Sequence, residues 1–176
     1  MGKIEVEIVA GMKDFINQIQ LALQNPSLYY LTLFASLALP DICGAMSSEN
    51  GESSKEKYIQ WYDQYMAHKC QFFTGEDCYY FRCSLLHQGS SQHQRSEYRR
   101  IIFVEPSATT NIYHCNIIND ALNLDVRVFC NDLIQGVENW LQVYENTEFY
   151  RRNYERLIKR YPNGLPQYFD GVPVIS

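Results

Sequence analysis

From Leu28 to Leu39 the chain reads Leu-Tyr-Tyr-Leu-Thr-Leu-Phe-Ala-Ser-Leu-Ala-Leu, twelve residues with almost nothing polar among them. That run is too short to cross a bilayer, which takes about 20 residues, so no membrane partner is expected. It reads as a core helix, hydrophobic nearly all round and buried on most sides. Ser27 is placed to cap it, and the helix should reach about Ala45. Pro40 lies inside it and should kink or restart it, because proline removes a backbone bond and clashes with the preceding turn.

The segments around this run are mostly helical in pattern. Phe15, Ile16, Ile19 and Leu23 recur at helical spacing over 14–24, and Asn25-Pro26 ends that segment. The polar stretch 47–54 is a loop. A helix over about 55–70 carries Tyr58, Trp61, Tyr62 and Tyr65 as a stripe, read as core in preference to a base-stacking platform. Thr74-Gly75-Glu76-Asp77 opens the next helix. Arg99 to Val104 and Asn111 to Ile118 read as strands, and Ala121 to Asp125 as a short third. Asp125 leads a long helix to about Tyr144, and a last helix runs from Glu148 to Tyr161.

The expected fold is mainly α: an antiparallel helical bundle with a small antiparallel β hairpin or meander inserted after the fourth helix. One domain covers 1–176. Within it, 1–11 is a leader or short strand (Met12 is a plausible alternative start) and 12–91 is a helical core. The β insertion is 99–125, the C-terminal helices 126–161, and the extended tail 162–176.

Hydrophobic residues at 46% and aromatics at 14% suffice for a packed core. A net charge of −5 argues against a general nucleic-acid coat but permits a local basic site. Six cysteines stand at 43, 70, 78, 83, 115 and 130, with no Cys-x-x-Cys pair. The N-terminus lacks a basic region followed by an apolar run, so a reducing cytoplasm with free buried thiols is expected. A zinc site from Cys70, Cys78, Cys83 and His87 matches no common spacing, and neither metal nor cofactor is expected.

The sharpest chemical signal is Tyr79-Tyr80-Phe81-Arg82-Cys83-Ser84-Leu85-Leu86-His87-Gln88-Gly89-Ser90-Ser91. Arginine holds phosphate oxygens in a bidentate fork, and histidine moves protons near neutrality. In a regular helix residues five apart lie about 140° apart round the axis. Arg82 and His87 share a face only if the last turn, before the Gly89 stop, loosens near Leu86. The bland alternative is an arginine on a solvated face and a histidine complementing the helix dipole.

Residues from about Leu28 to Ser91 resemble the HEPN superfamily, helical domains of many prokaryotic toxins, abortive-infection proteins and RNA-cutting effectors. Its motif, Arg, four to six residues, then His, is matched by Arg82 and His87. Leu31 to Ala45 and the run Arg-Cys-Ser-Leu-Leu-His-Gln-Gly resemble a set of bacterial HEPN-like proteins of unassigned role. Where active members usually carry a polar residue after the arginine, this chain has Cys83.

The resemblance implies a metal-independent endoribonuclease of toxin or defence type, working as a homodimer with a possible protein antitoxin. The ribose 2′-hydroxyl would attack its own phosphate, His87 taking the proton and Arg82 stabilising the phosphorane. Ser84, Arg95, Arg99 and Arg100 are the expected auxiliaries for an RNA or nucleotide. The alternatives are a non-catalytic nucleotide-, RNA- or protein-binding module, and a structural dimerisation module.

Arg151, Arg152, Arg156, Lys159 and Arg160 gather a third of the 15 basic residues into ten positions. They read as a solvated face pairing with Glu148 and Glu155, ahead of a phosphate-tracking surface. His68, His93 and His114 have no partner motif and read as structural.

Overall fold

The computed structural model describes residues 10–106 and 112–176. The expected strand or leader before Ala10, and the expected start of the second strand at Asn111, lie outside the described residues. The described chain is mainly α. Helix α1 is Ala10–Leu23, and a 3-10 turn Pro26–Leu28 leads into α2, Tyr29–Leu37. Helices α3 (Leu39–Met46), α4 (Lys55–Tyr65) and α5 (Gly75–Gln88) follow.

The apolar stretch from Leu28 to Ala45 forms two helices, not one. The backbone breaks at Ala38, and Pro40 sits in the first turn of α3, where a missing N–H goes unnoticed. The cap is not Ser27: the Asn25 side chain accepts from the Ser27 N–H and caps the 3-10 turn. Leu33, Leu37, Leu39 and Cys43 enter the core. Burial is one-sided, however, because Tyr30 is 61% and Leu31 63% exposed. By length and composition Pro26–Met46, 21 residues at mean hydropathy 1.4, could cross a membrane, and half of its most apolar window is buried in the fold.

Strands β1 (Arg100–Val104), β2 (Asn116–Ile118) and β3 (Ala121–Asp125) form one sheet in the order β1-β3-β2. The expected antiparallel meander is corrected here. β2 pairs antiparallel with β3, but β1 pairs parallel with it, Ile101 opposite Leu122 and Phe103 opposite Leu124. The reason is the turn at Asn119-Asp120, both at positive φ (50° and 61°). Two such residues make the tight hairpin turn that suits twisted strands. The chain therefore passes β1, runs back along β2 and returns between them as a central strand, buried along its length.

Asp125 closes β3 and caps α6, Val126–Tyr144, accepting from the Val128 N–H at 2.9 Å. Phe129, Leu133, Val137 and Trp140 of α6 are buried against the earlier helices. A chain of ring contacts, Phe81–Phe103, Phe103–Phe129 and Phe129–Phe73, fastens the sheet to α5 and α6.

The last helix, α7, is Glu148–Tyr154 and stops well short of Tyr161. The tail is not extended. It folds back as two short ladders, β4 (Arg160–Tyr161) with β7 (Val174–Ile175), and β5 (Gly164–Leu165) with β6 (Phe169–Asp170). Gly164, at φ 82°, makes the inner turn possible: a Cβ there would meet the Phe169 carbonyl oxygen at 2.1 Å.

The expectation that all the thiols are free is also corrected. Cys70 and Cys115 form a disulfide, their Cα atoms 5.5 Å apart, joining the loop after α4 to the segment before β2. Cys43, Cys78 and Cys130 are buried free thiols, and Cys83 is a half-buried one.

Candidate functional site

The motif helix α5 is held at both ends. Thr74 caps it, accepting from the Asp77 N–H at 3.1 Å. Gly75 tucks its own N–H onto the Asp63 carboxylate at 3.0 Å, where a Cβ would lie 2.7 Å from the same oxygen. At the far end Gly89 takes the left-handed conformation, and the N–H groups of Gly89 and Ser90 return to the carbonyls of Leu85 and Ser84. That is the glycine closure expected of this sequence, but it comes after Gln88. The helix is continuous through His87, so the loosening that would swing His87 towards Arg82 is absent. The two lie about 140° apart round the axis.

Arg82 is occupied. Its side chain, 20% exposed, pairs through Nη2 with the Asp41 carboxylate on α3, and Nη1 lies 3.7 Å from the Cys83 sulfur. Asp41 in turn accepts from the Ser53 hydroxyl at 2.8 Å. The guanidinium thus ties α5 to α3 and to the loop before α4. Ser84, expected to touch phosphate, is 1% exposed, with its hydroxyl turned away from solvent. His87 is exposed in the last turn of α5, where a cation complements the helix dipole.

The auxiliary arginines lie elsewhere and are open to solvent. Arg95 donates to the Tyr80 hydroxyl at 3.0 Å, and Lys55 of α4 donates to the same oxygen at 2.7 Å and to Glu76 at 2.8 Å. Those bonds push the Lys55 ammonium pKa up, and the bond from Lys55 pulls the Glu76 carboxyl down. The His93 ring stacks on Tyr80 at 4.5 Å between centroids. Arg99 and Arg100 are exposed and line a cleft of about 390 Å³ with Gln92 and Asn123. A set of cationic groups therefore comprises Lys55 and Arg95 at the Tyr80 hydroxyl and Arg99 and Arg100 in the cleft. Sequence reasoning found its arginines but missed Lys55, Tyr80 and His93. Lys55 is 25 residues from Tyr80 and reaches it only because α4 packs beside α5.

The C-terminal basic cluster does something else. Asn153, buried on α7, donates its amide to the carbonyls of Ala45, Met46 and Ser48 at 3.2, 3.2 and 2.7 Å. Arg156 donates to the Asn50 carbonyl at 2.9 Å and Arg152 to that of Glu49. These are carbonyls at and just beyond the end of α3, where the helical ladder runs out; that of Ala45 also accepts from the Ser48 N–H and hydroxyl. Of the acidic partners expected for this face, Glu155 is met, by Lys159 at 3.6 Å. Among the described residues no three His, Cys, Asp or Glu side chains gather as a metal site.

No protein family, curated protein or solved structure matches this chain.

Proposed function

We propose that this chain is a HEPN-like module that binds RNA through its backbone phosphates and does not cut it. The observation that carries this reading is the Arg82–Asp41 pair. An arginine neutralised by a carboxylate and wedged between helices is not available to a phosphorane, and His87 is too far round the helix to act with it. Arg95, Arg99 and Arg100 keep exposed cationic heads, and a phosphate-tracking site needs that; Lys55, which meets Arg95 at the Tyr80 hydroxyl, is ion-paired with Glu76. The whole chain is acidic, net −5, which disfavours phosphate binding away from a local basic patch.

Binding of a labelled single-stranded RNA, followed by fluorescence anisotropy across a salt series, tests the reading. Each single-strand phosphate contact contributes about 0.7 to the slope of log K against log salt. The triple variant Arg95→Ala, Arg99→Ala, Arg100→Ala should flatten the slope by about 2. Absence of binding at low salt, or an unchanged slope in the triple variant, would overturn it.

A further inference from the structure

Both tryptophans of the chain meet in one cleft. Trp61 and Tyr65 on α4 lie with their rings 5.3 Å apart, and Trp140 and Tyr144 on α6 stack at 5.5 Å, nearly parallel. The half-buried rings of Tyr65 and Tyr144, over a floor made by the buried Trp61 and Trp140 (4% and 1% exposed), line a cleft of about 230 Å³ together with the exposed amides of Gln60 and Gln64. Gly136 lets the helices come this close, since a Cβ there would lie 3.0 Å from the Trp61 ring. Among the described residues the Trp61 indole N–H has no acceptor, a rare condition for a buried donor.

We propose that this cleft is a binding site for one unpaired nucleobase. Its volume is below the roughly 300 Å³ at which sites for drug-sized ligands begin, so it suits a single ring system with ribose and phosphate left outside. Stacking on aromatic rings is how proteins hold unpaired bases of any sequence. Gln60 and Gln64 each offer a donor and an acceptor to a base edge. A cationic guest, the other usual occupant of an aromatic box, is disfavoured by charge. No carboxylate lines the cleft, and the Lys57 ammonium stands at its wall, donating to the Glu52 carbonyl at 2.6 Å.

The site shares no lining residue with the cleft of Arg99 and Arg100, and its test separates the two. Titration calorimetry of the intact protein with AMP, CMP, GMP and UMP, with ribose 5-phosphate, choline and glucose as controls, reads it directly. At least one monophosphate should bind saturably and the three controls should not. Tyr65→Leu and Tyr144→Leu, each checked for folding by circular dichroism, should weaken binding about tenfold, the scale of one lost base stack. The Arg95→Ala, Arg99→Ala, Arg100→Ala variant should keep the affinity even if RNA binding is lost. Absence of binding by all four monophosphates, equal binding of a control, or an affinity unchanged by both tyrosine variants would overturn the assignment. So would a loss of binding confined to the arginine variant.

Discussion

Arg82 of α5 is paired with Asp41 of α3, and that contact decides how the motif helix is used. The pair is half-buried and joined by Ser53 through the other carboxylate oxygen. Arg82→Ala would strand a shielded carboxylate, at a cost of about 1–3 kcal/mol for a polar group left unmet. Thermal unfolding should show that loss, and the affinity for RNA should stay within twofold of wild type. An RNA affinity that collapses while the protein stays folded would make Arg82 a binding residue after all.

Asn153 should prove the most sensitive polar residue of the C-terminal half. Its amide serves three carbonyls at the end of α3 from a buried position. Asn153→Ala removes the donor to the Met46 and Ser48 carbonyls, while that of Ala45 keeps the Ser48 N–H and hydroxyl, and should lower stability by about 2–3 kcal/mol, measured by denaturant unfolding. Arg151→Ala, on an exposed side chain that reaches Asn146 at 3.4 Å, should change it by less than about 0.5 kcal/mol.

Reduction should destabilise the protein. The Cys70–Cys115 bond closes a loop spanning 45 positions, and the chain-entropy relation for a loop of that size gives about 4 kcal/mol at 25 °C. Unfolding with and without dithiothreitol, beside a Cys70→Ser, Cys115→Ser variant, checks this. The variant should match the reduced wild type and ignore the reductant.

His114 should make stability fall with acid. Its ring is half-buried with Nδ1 lacking a partner, and burial holds its pKa below the usual histidine range. Below about pH 6.5 the unfolded chain takes up a proton that the folded chain resists. Stability contributed by the neutral ring is therefore full above that pH and declines as pH drops towards the folded pKa. In His114→Gln the slope of unfolding free energy between pH 7 and 5 should be shallower.

The sequence made the helical framework legible where periodicity and punctuation agreed. Thr74 and Asp125 act as caps at their expected places, and α6 keeps its expected span because its apolar positions repeat at one period from Val128 to Leu141. Partner choice was not legible. The strand character of Ile101 and Phe103 says nothing about which neighbour they take, so the parallel pairing with β3 came only with the fold. The Asn119-Asp120 turn carried a readable hairpin signal of its own. The disulfide joins cysteines 45 positions apart, a pairing that spacing does not disclose.

Within the candidate site, the spacing of Arg82 and His87 announced its own difficulty, and the unbroken helix leaves it in place. Asp41, which holds Arg82, lies one residue after Pro40, and only the restart of the helix at that proline sets it against α5. Arg152 and Arg156 looked like surface charges because their partners are backbone carbonyls, which carry no sequence signature.

RNA binding without cleavage is the proposal that most needs a direct test. The most direct measurement incubates one labelled mixed-sequence RNA in EDTA with wild type and with folded His87→Ala, following anisotropy and product ends in the same samples. Both proteins should bind the RNA with salt dependence and leave it intact throughout. Cleavage by wild type alone, leaving 2′,3′-cyclic phosphate ends, would contradict it and place His87 in a working ribonuclease site.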